Sequence, residues 1–119
     1  RHFLFKRLLA LYKGIDREAL RENMRYFLSA IMPVCEEYGV NIVYTPMTLF
    51  SGIGVAAHCD READIAWILS AVDNPRNGLT FCAGSLSAGE QNDTRELARK
   101  FARRTHFVHL RSTKQCRLW

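Results

Sequence analysis

LTFCAGSLSAGEQNDTRELARKFARRTHFVHL, residues 79–110, decides the fold of this chain. It opens on a short β-rich run, Leu79 to Cys82, and closes on another, Thr105 to Leu110. Between them Asp93 stands three residues before Glu96, a capping-box spacing, and Leu97 and Phe101 follow at helical spacing. The stretch from Ala83 to Asn92 reads as a polar loop. A strand, a capped helix and a strand imply two parallel strands joined by a crossover helix.

The same grammar extends toward the amino terminus. Asp60 is a helix-cap candidate, and Ile65, Ile68, Leu69 and Val72 make an apolar stripe that Asn74-Pro75 closes. Asn77-Gly78 reads as a turn into the strand. Val40 to Tyr44 (VNIVY) is β-branched and reads as a buried strand. Before it, Asp16 can cap a long helix on which Leu20, Met24, Phe27, Leu28, Ile31 and Cys35 recur. Pro33 is expected to kink that helix and Gly39 to end it. The first thirteen residues read as a further helix with Leu4, Leu8 and Leu11 toward a core. The order α-α-β-α-β-α-β suits a flavodoxin-like open sheet or part of a (β/α)8 barrel. Three strands cannot close a barrel, which needs about 250 residues.

Composition narrows the function classes. The chain has 119 residues, 48% hydrophobic and 24% charged, which is globular rather than disordered. The net charge is +5, but Arg1, Lys6, Arg7, Lys13, Arg111, Lys114 and Arg117 lie at the two ends, and without them the middle carries −2. A nucleic-acid reader would carry a basic stripe along its fold, so neither nucleic acid nor a membrane is expected as partner. Cys35, Cys59, Cys82 and Cys116 show no CxxC spacing and read as reduced thiols of a cytoplasmic protein.

In both candidate folds chemistry gathers at the carboxyl ends of strands, here Thr45, Cys82 and His109. If the last two strands are neighbours, about 4.8 Å apart, Cys82 and His109 can reach one borderline or soft divalent ion. A buried apolar Cys and a hydrogen-bonded surface His are the plainer readings of the same residues. His106, three residues before His109, belongs to the opposite face of a regular strand. Arg111 can grip a carboxylate bidentately, and Ser85 and Asn92 can donate to hydroxyls. No dinucleotide, P-loop, zincin or nucleophile-elbow motif occurs.

The blocks Leu20-Arg21-Glu22-Asn23, Ala30-Ile31-Met32-Pro33-Val34, Asn77-Gly78-Leu79-Thr80-Phe81-Cys82-Ala83-Gly84-Ser85 and Phe107-Val108-His109-Leu110-Arg111-Ser112-Thr113 resemble, in order and spacing, the mannonate dehydratases of hexuronate (glucuronate) catabolism. The resemblance implies a xylose-isomerase-like (β/α)8 TIM barrel, of which residues 1–119 would be one fragment: helices over 1–39, three βα repeats over 40–110, and a tail over 111–119. It implies a lyase that removes water from D-mannonate to give 2-dehydro-3-deoxy-D-gluconate, a homo-oligomer in its full-length form. It implies a Mn2+ or Fe2+ ion held by His, Cys, His and Asp, with Cys82 and His109 as two of these ligands. Arg111, Ser85 and Asn92 remain substrate-binding candidates from their chemistry alone, and a solvated tail Arg and ordinary loop polarity explain them equally well. The Asp ligand, further acid/base groups and the remaining strands would fall outside the chain, so the fragment alone is expected to be inactive. A metal-dependent sugar isomerase on a related barrel and a non-enzymatic α/β interaction module are the alternatives.

One segment departs. Where the family has His-Pro-Asp-Asp-Pro, with its first metal ligand, this chain has Thr45-Pro46-Met47-Thr48-Leu49. His58 and Cys59 in the same segment have no spacing that would make them substitutes. One choice among the synonymous codons, CAC CCC GAT GAC CCT, spells the family run; read one base later it spells Thr-Pro-Met-Thr-Leu. The hypothesis that follows is a one-base slip near codon 45, with the frame restored around Asp60, and a second slip over Gln115 to Trp119. Resequencing codons 40–62 and past codon 114 from independent DNA distinguishes two origins. A missing or extra base restores the histidine and a longer reading frame, whereas an unaltered text makes this a decayed or truncated copy in which Cys82 and His109 are relics of a metal site.

Overall fold

The computed structural model describes residues 15–46, 62–89 and 91–112, together with Ala10. Helix α1 (Arg17–Glu37) starts where expected, the Asp16 carboxylate accepting from the Ala19 N–H at 2.8 Å. It runs through Pro33 and gives way at Tyr38 to Gly39, whose φ of +66° is the left-handed geometry that lets a helix stop. Strand β1 (Ile42–Tyr44) follows, then α2 (Glu62–Ala71), β2 (Asn77–Cys82), the short helix α3 (Ala83–Ser87), α4 (Thr94–Phe101), a 3-10 turn (Ala102–Arg104) and β3 (Thr105–His109). The three strands lie in the order β1-β2-β3, all parallel, as crossover helices require.

The helices cover β2. Leu28, Met32 and Cys35 of α1, Ile65, Ile68 and Leu69 of α2, Leu79 of β2, Leu86 of α3, and Leu97 and Phe101 of α4 form one buried cluster. Helices α1 and α2 are also joined through charge. Arg17 and Arg21 both reach Oδ1 of Asp64, Arg21 at 3.1 Å, while the Arg21 guanidinium stacks 4.8 Å from the Trp67 ring. Asp64 is 3% exposed and its Oδ2 has no hydrogen-bond partner among the described residues. Removing either arginine would therefore leave a buried carboxylate poorly compensated.

At the amino ends of the strands, two side chains satisfy the carbonyls that a helix end and a turn leave open. The amide of buried Asn77 donates to Ile68 O at 2.9 Å and Val72 O at 3.1 Å. Arg104 donates through Nη2 to Leu69 O, Asn74 O and Asn77 O at 3.2, 2.8 and 2.8 Å, and through Nη1 to the Asp73 carboxylate at 2.9 Å. A cation at the carboxyl end of α2 also complements the helix dipole.

Several local expectations are corrected. Asn77 and Gly78 are the first residues of β2, not a turn, because the Asn77 side chain is buried as a helix cap. Part of the loop expected over 83–92 is helix α3, which starts directly from the strand end. On α1 the buried stripe includes Met32 and leaves Phe27 half exposed, a rotation of the expected face. β1 is shorter than expected and only half-buried, with Val40 and Val43 exposed. The Asp60 cap, the first helix, the Met47 to Cys59 segment and the tail from Thr113 lie outside the described residues.

Arg104→Ala strips three backbone carbonyls of their donor and is expected to destabilise the chain by about 3 kcal/mol in urea unfolding. Arg104→Lys is expected to recover little, since one ammonium cannot replace the fork. Removing the exposed Asp73 carboxylate should cost under about 0.5 kcal/mol. Equal midpoints for Arg104→Ala and the unaltered chain would contradict the clamp.

Candidate functional site

Strands β2 and β3 are neighbours, and their ladder ends with Cys82 opposite His109. The Cys82 sulfur lies 3.6 Å from His109 Nδ1. Cys82 is buried, whereas His109 is on the exposed strand β3. Leu79 and Phe81 pack toward the helices, so by strand alternation Cys82 belongs to the other face, the one a barrel would turn inward.

Cys82 is also the N-cap position of α3. Burial pushes its thiol up. Against this act the Ser85 hydroxyl, the backbone N–H groups of Ser85 and Gly84, and the charge of Arg111, and the balance leaves the thiol below its ordinary value. Thiolate is the form that ligates metals. Arg111 lies along Gly84, where an added Cβ would stand 3.0–3.1 Å from its side chain, and donates from Nη2 to Ser85 Oγ at 3.1 Å. Cys82, His109, Ser85 and Arg111 thus form one group at the carboxyl ends of two strands.

The other candidates fall elsewhere. Asn92 donates to Leu86 O at 2.9 Å, fixing the chain that leaves α3. Thr45 follows the end of β1, whose last pairing, Tyr44 with Leu79, lies three residues short of Cys82. His106 is at the opposite end of the sheet, its Nε2–H donating to Pro75 O at 2.8 Å. There it borders a cleft of about 540 Å3 with Glu36, Asn41, Asn74 and Arg76, remote from the thiol–imidazole pair. His58 and Cys59 lie outside the described residues. The seat that Gly84 provides for Arg111 has one signal in the sequence, the Cys-Ala-Gly-Ser run after a strand, and strand periodicity does not reveal it.

A thiolate and an imidazole on one tetrahedral ion, with bonds of about 2.3 and 2.0–2.1 Å, stand about 3.5 Å apart. The observed separation fits two donors of one site. Among the described residues no third His, Cys, Asp or Glu joins them. Among the described residues, fold and site together give a three-stranded parallel α/β sheet with a soft–borderline donor pair at the ends of adjacent strands.

Comparison with known proteins makes this specific. The family pattern of D-mannonate dehydratase (UxuA) matches residues 3–117. The mannonate dehydratase of Enterococcus faecalis is 42% identical over 114 residues, which cover 92% of this chain and 31% of that protein. That of Thermotoga petrophila is 42% identical over 107 residues, 87% of this chain and 30% of its own length. The crystal structure of mannonate dehydratase from Streptococcus suis serotype 2 superposes with a TM-score of 0.70 at 28% identity, covering 81% of this chain and 28% of that one. The chain belongs to the mannonate dehydratase family and has the fold of part of its barrel. It spans about three-tenths of the length of these relatives.

Proposed function

We propose that this chain contributes two strand-end ligands and an anion-gripping arginine to a hydro-lyase that converts D-mannonate to 2-dehydro-3-deoxy-D-gluconate. The observation that carries the reading is the Cys82–His109 pair, 3.6 Å apart on adjacent parallel strands, in a chain whose relatives are mannonate dehydratases. Cys82 and His109 would hold Mn2+ or Fe2+; thiolate favours iron of the two, since manganese is the less thiophilic. A bound divalent ion supplies Lewis-acid polarisation of the substrate carboxylate and hydroxyl, which eases loss of the proton beside the carboxylate and of the neighbouring hydroxyl as water.

The chain's own residues do the positioning. Arg111 has a planar fork of donors beside the sulfur and suits the sugar-acid carboxylate. Ser85 holds that fork in place through its hydroxyl while its N–H faces the Cys82 sulfur and helps to hold the thiol below its ordinary value. Asn92 fixes the segment after α3, and a role toward substrate hydroxyls is part of the same proposal. No helix among the described residues is long and apolar enough to cross a membrane. A cytoplasmic place in glucuronate breakdown fits this reading.

The two donors and three strands among the described residues do not make the complete site, so the purified 119-residue chain is expected to give no 3-deoxy product from D-mannonate with Mn2+ or Fe2+. Exchange of residues 62–112 for the matching segment of the Enterococcus faecalis enzyme tests the function directly. The chimera is expected to dehydrate D-mannonate, and Cys82→Ala within it to lower turnover by at least ~100-fold. A chimera without product, or one indifferent to Cys82→Ala, overturns the assignment.

A further inference from the structure

The β2–β3 ladder contains one extra residue. Leu79 pairs with Thr105, but Thr80 pairs with Phe107, so His106 is skipped, and Cys82 then meets His109. Such bulges are rare between parallel strands. Counted straight from Leu79–Thr105, the residue opposite Cys82 would be Val108, and His109 would turn to the helix-covered face. A one-residue slip exchanges the two faces of a strand.

His106 occupies this place by two contacts. Its Nε2–H donates to Pro75 O at 2.8 Å, and its ring fills the notch over Gly78. A methyl at position 78 would overlap that ring and stand 2.8 Å from the Arg104 carbonyl oxygen. The amino end of β3 is meanwhile held by Arg104 against the α2–β2 turn. Arg104 and His106 therefore hold β3 at its amino end, and the extra residue is taken up between Thr105 and Phe107.

We infer that His106 is a positioning residue: seated on Gly78 and bonded to Pro75, it takes up the extra residue and thereby delivers the His109 imidazole to the face of Cys82. The assignment rests on the functional reading only for its purpose, since the register itself can be read without metal. Paired residues on adjacent strands lie within the Cα separation that a disulfide spans. His109→Cys and Val108→Cys are therefore each introduced into the full chain and oxidised with glutathione disulfide, and bonds to Cys82 are quantified by peptide mass mapping.

Cys82 is expected to couple to position 109 at least ~10-fold faster than to position 108. Adding His106→Ala should collapse that ratio toward one, and His106→Gln, which keeps an N–H donor for Pro75, should restore it. Preferential coupling to 108 in the otherwise unaltered chain overturns the register assignment, whether or not the His106 variants fold. A ratio unmoved by His106→Ala overturns the role of His106. A chimera that fails to dehydrate mannonate while this ratio holds removes the functional reading and leaves the positioning inference standing.

Discussion

The Arg104 guanidinium is the fixed point from which the β2–β3 ladder is measured. It binds the end of α2, the turn after it and the first residue of β2 at once, from the residue just before β3. Three strand residues further along β2 than the Leu79–Thr105 pair, that ladder brings Cys82 to His109. The clamp at the amino ends and the donor pair at the carboxyl ends are thus joined by one ladder, whose register shifts by one residue at His106. This division matches the general behaviour of parallel barrels, in which one end of the strands serves stability and the other chemistry.

The packing shows the same asymmetry between what the chain covers and what it leaves open. Parallel sheets are ordinarily buried on both faces. Here only β2 approaches that state, whereas Phe107 and Val108 of β3 and the adjoining Leu110 are exposed. The shared core lies on the helix side, and Cys82 is buried outside it. The relatives are about three times longer than this chain, and an exposed apolar β3 is the kind of surface that a neighbouring strand buries.

Much of this was legible in the residues. The Asp16 and Asp93 caps, the Ile65–Leu69 stripe and the strand runs ending at Cys82 and His109 carry local signals that the fold retains, because each satisfies its own backbone or buries its own face. At Asp93 half of the expected box forms: the carboxylate accepts from Arg95 and Glu96 N–H, while the Glu96 side chain pairs with Arg99. The misses share a cause. Asn77-Gly78 has turn chemistry in isolation, and becomes strand because α2 needs the Asn77 amide and β3 needs the space over Gly78. The bulge at His106 is invisible to strand alternation, since it answers to a partner strand and to Arg104 rather than to its own neighbours. Phe27 and Met32 exchange roles because the phase of α1 is set by α2, through Asp64 and its two arginines.

The central claim is that Cys82 and His109 are two donors to one divalent ion. Titration of the full chain with Co2+, followed by its thiolate-to-metal absorption, tests it most directly. The account predicts a charge-transfer band that Cys35→Ser retains, that Cys82→Ser abolishes and that needs about tenfold more Co2+ to develop in His109→Ala. A band that survives Cys82→Ser, or a titration indifferent to His109, would contradict it.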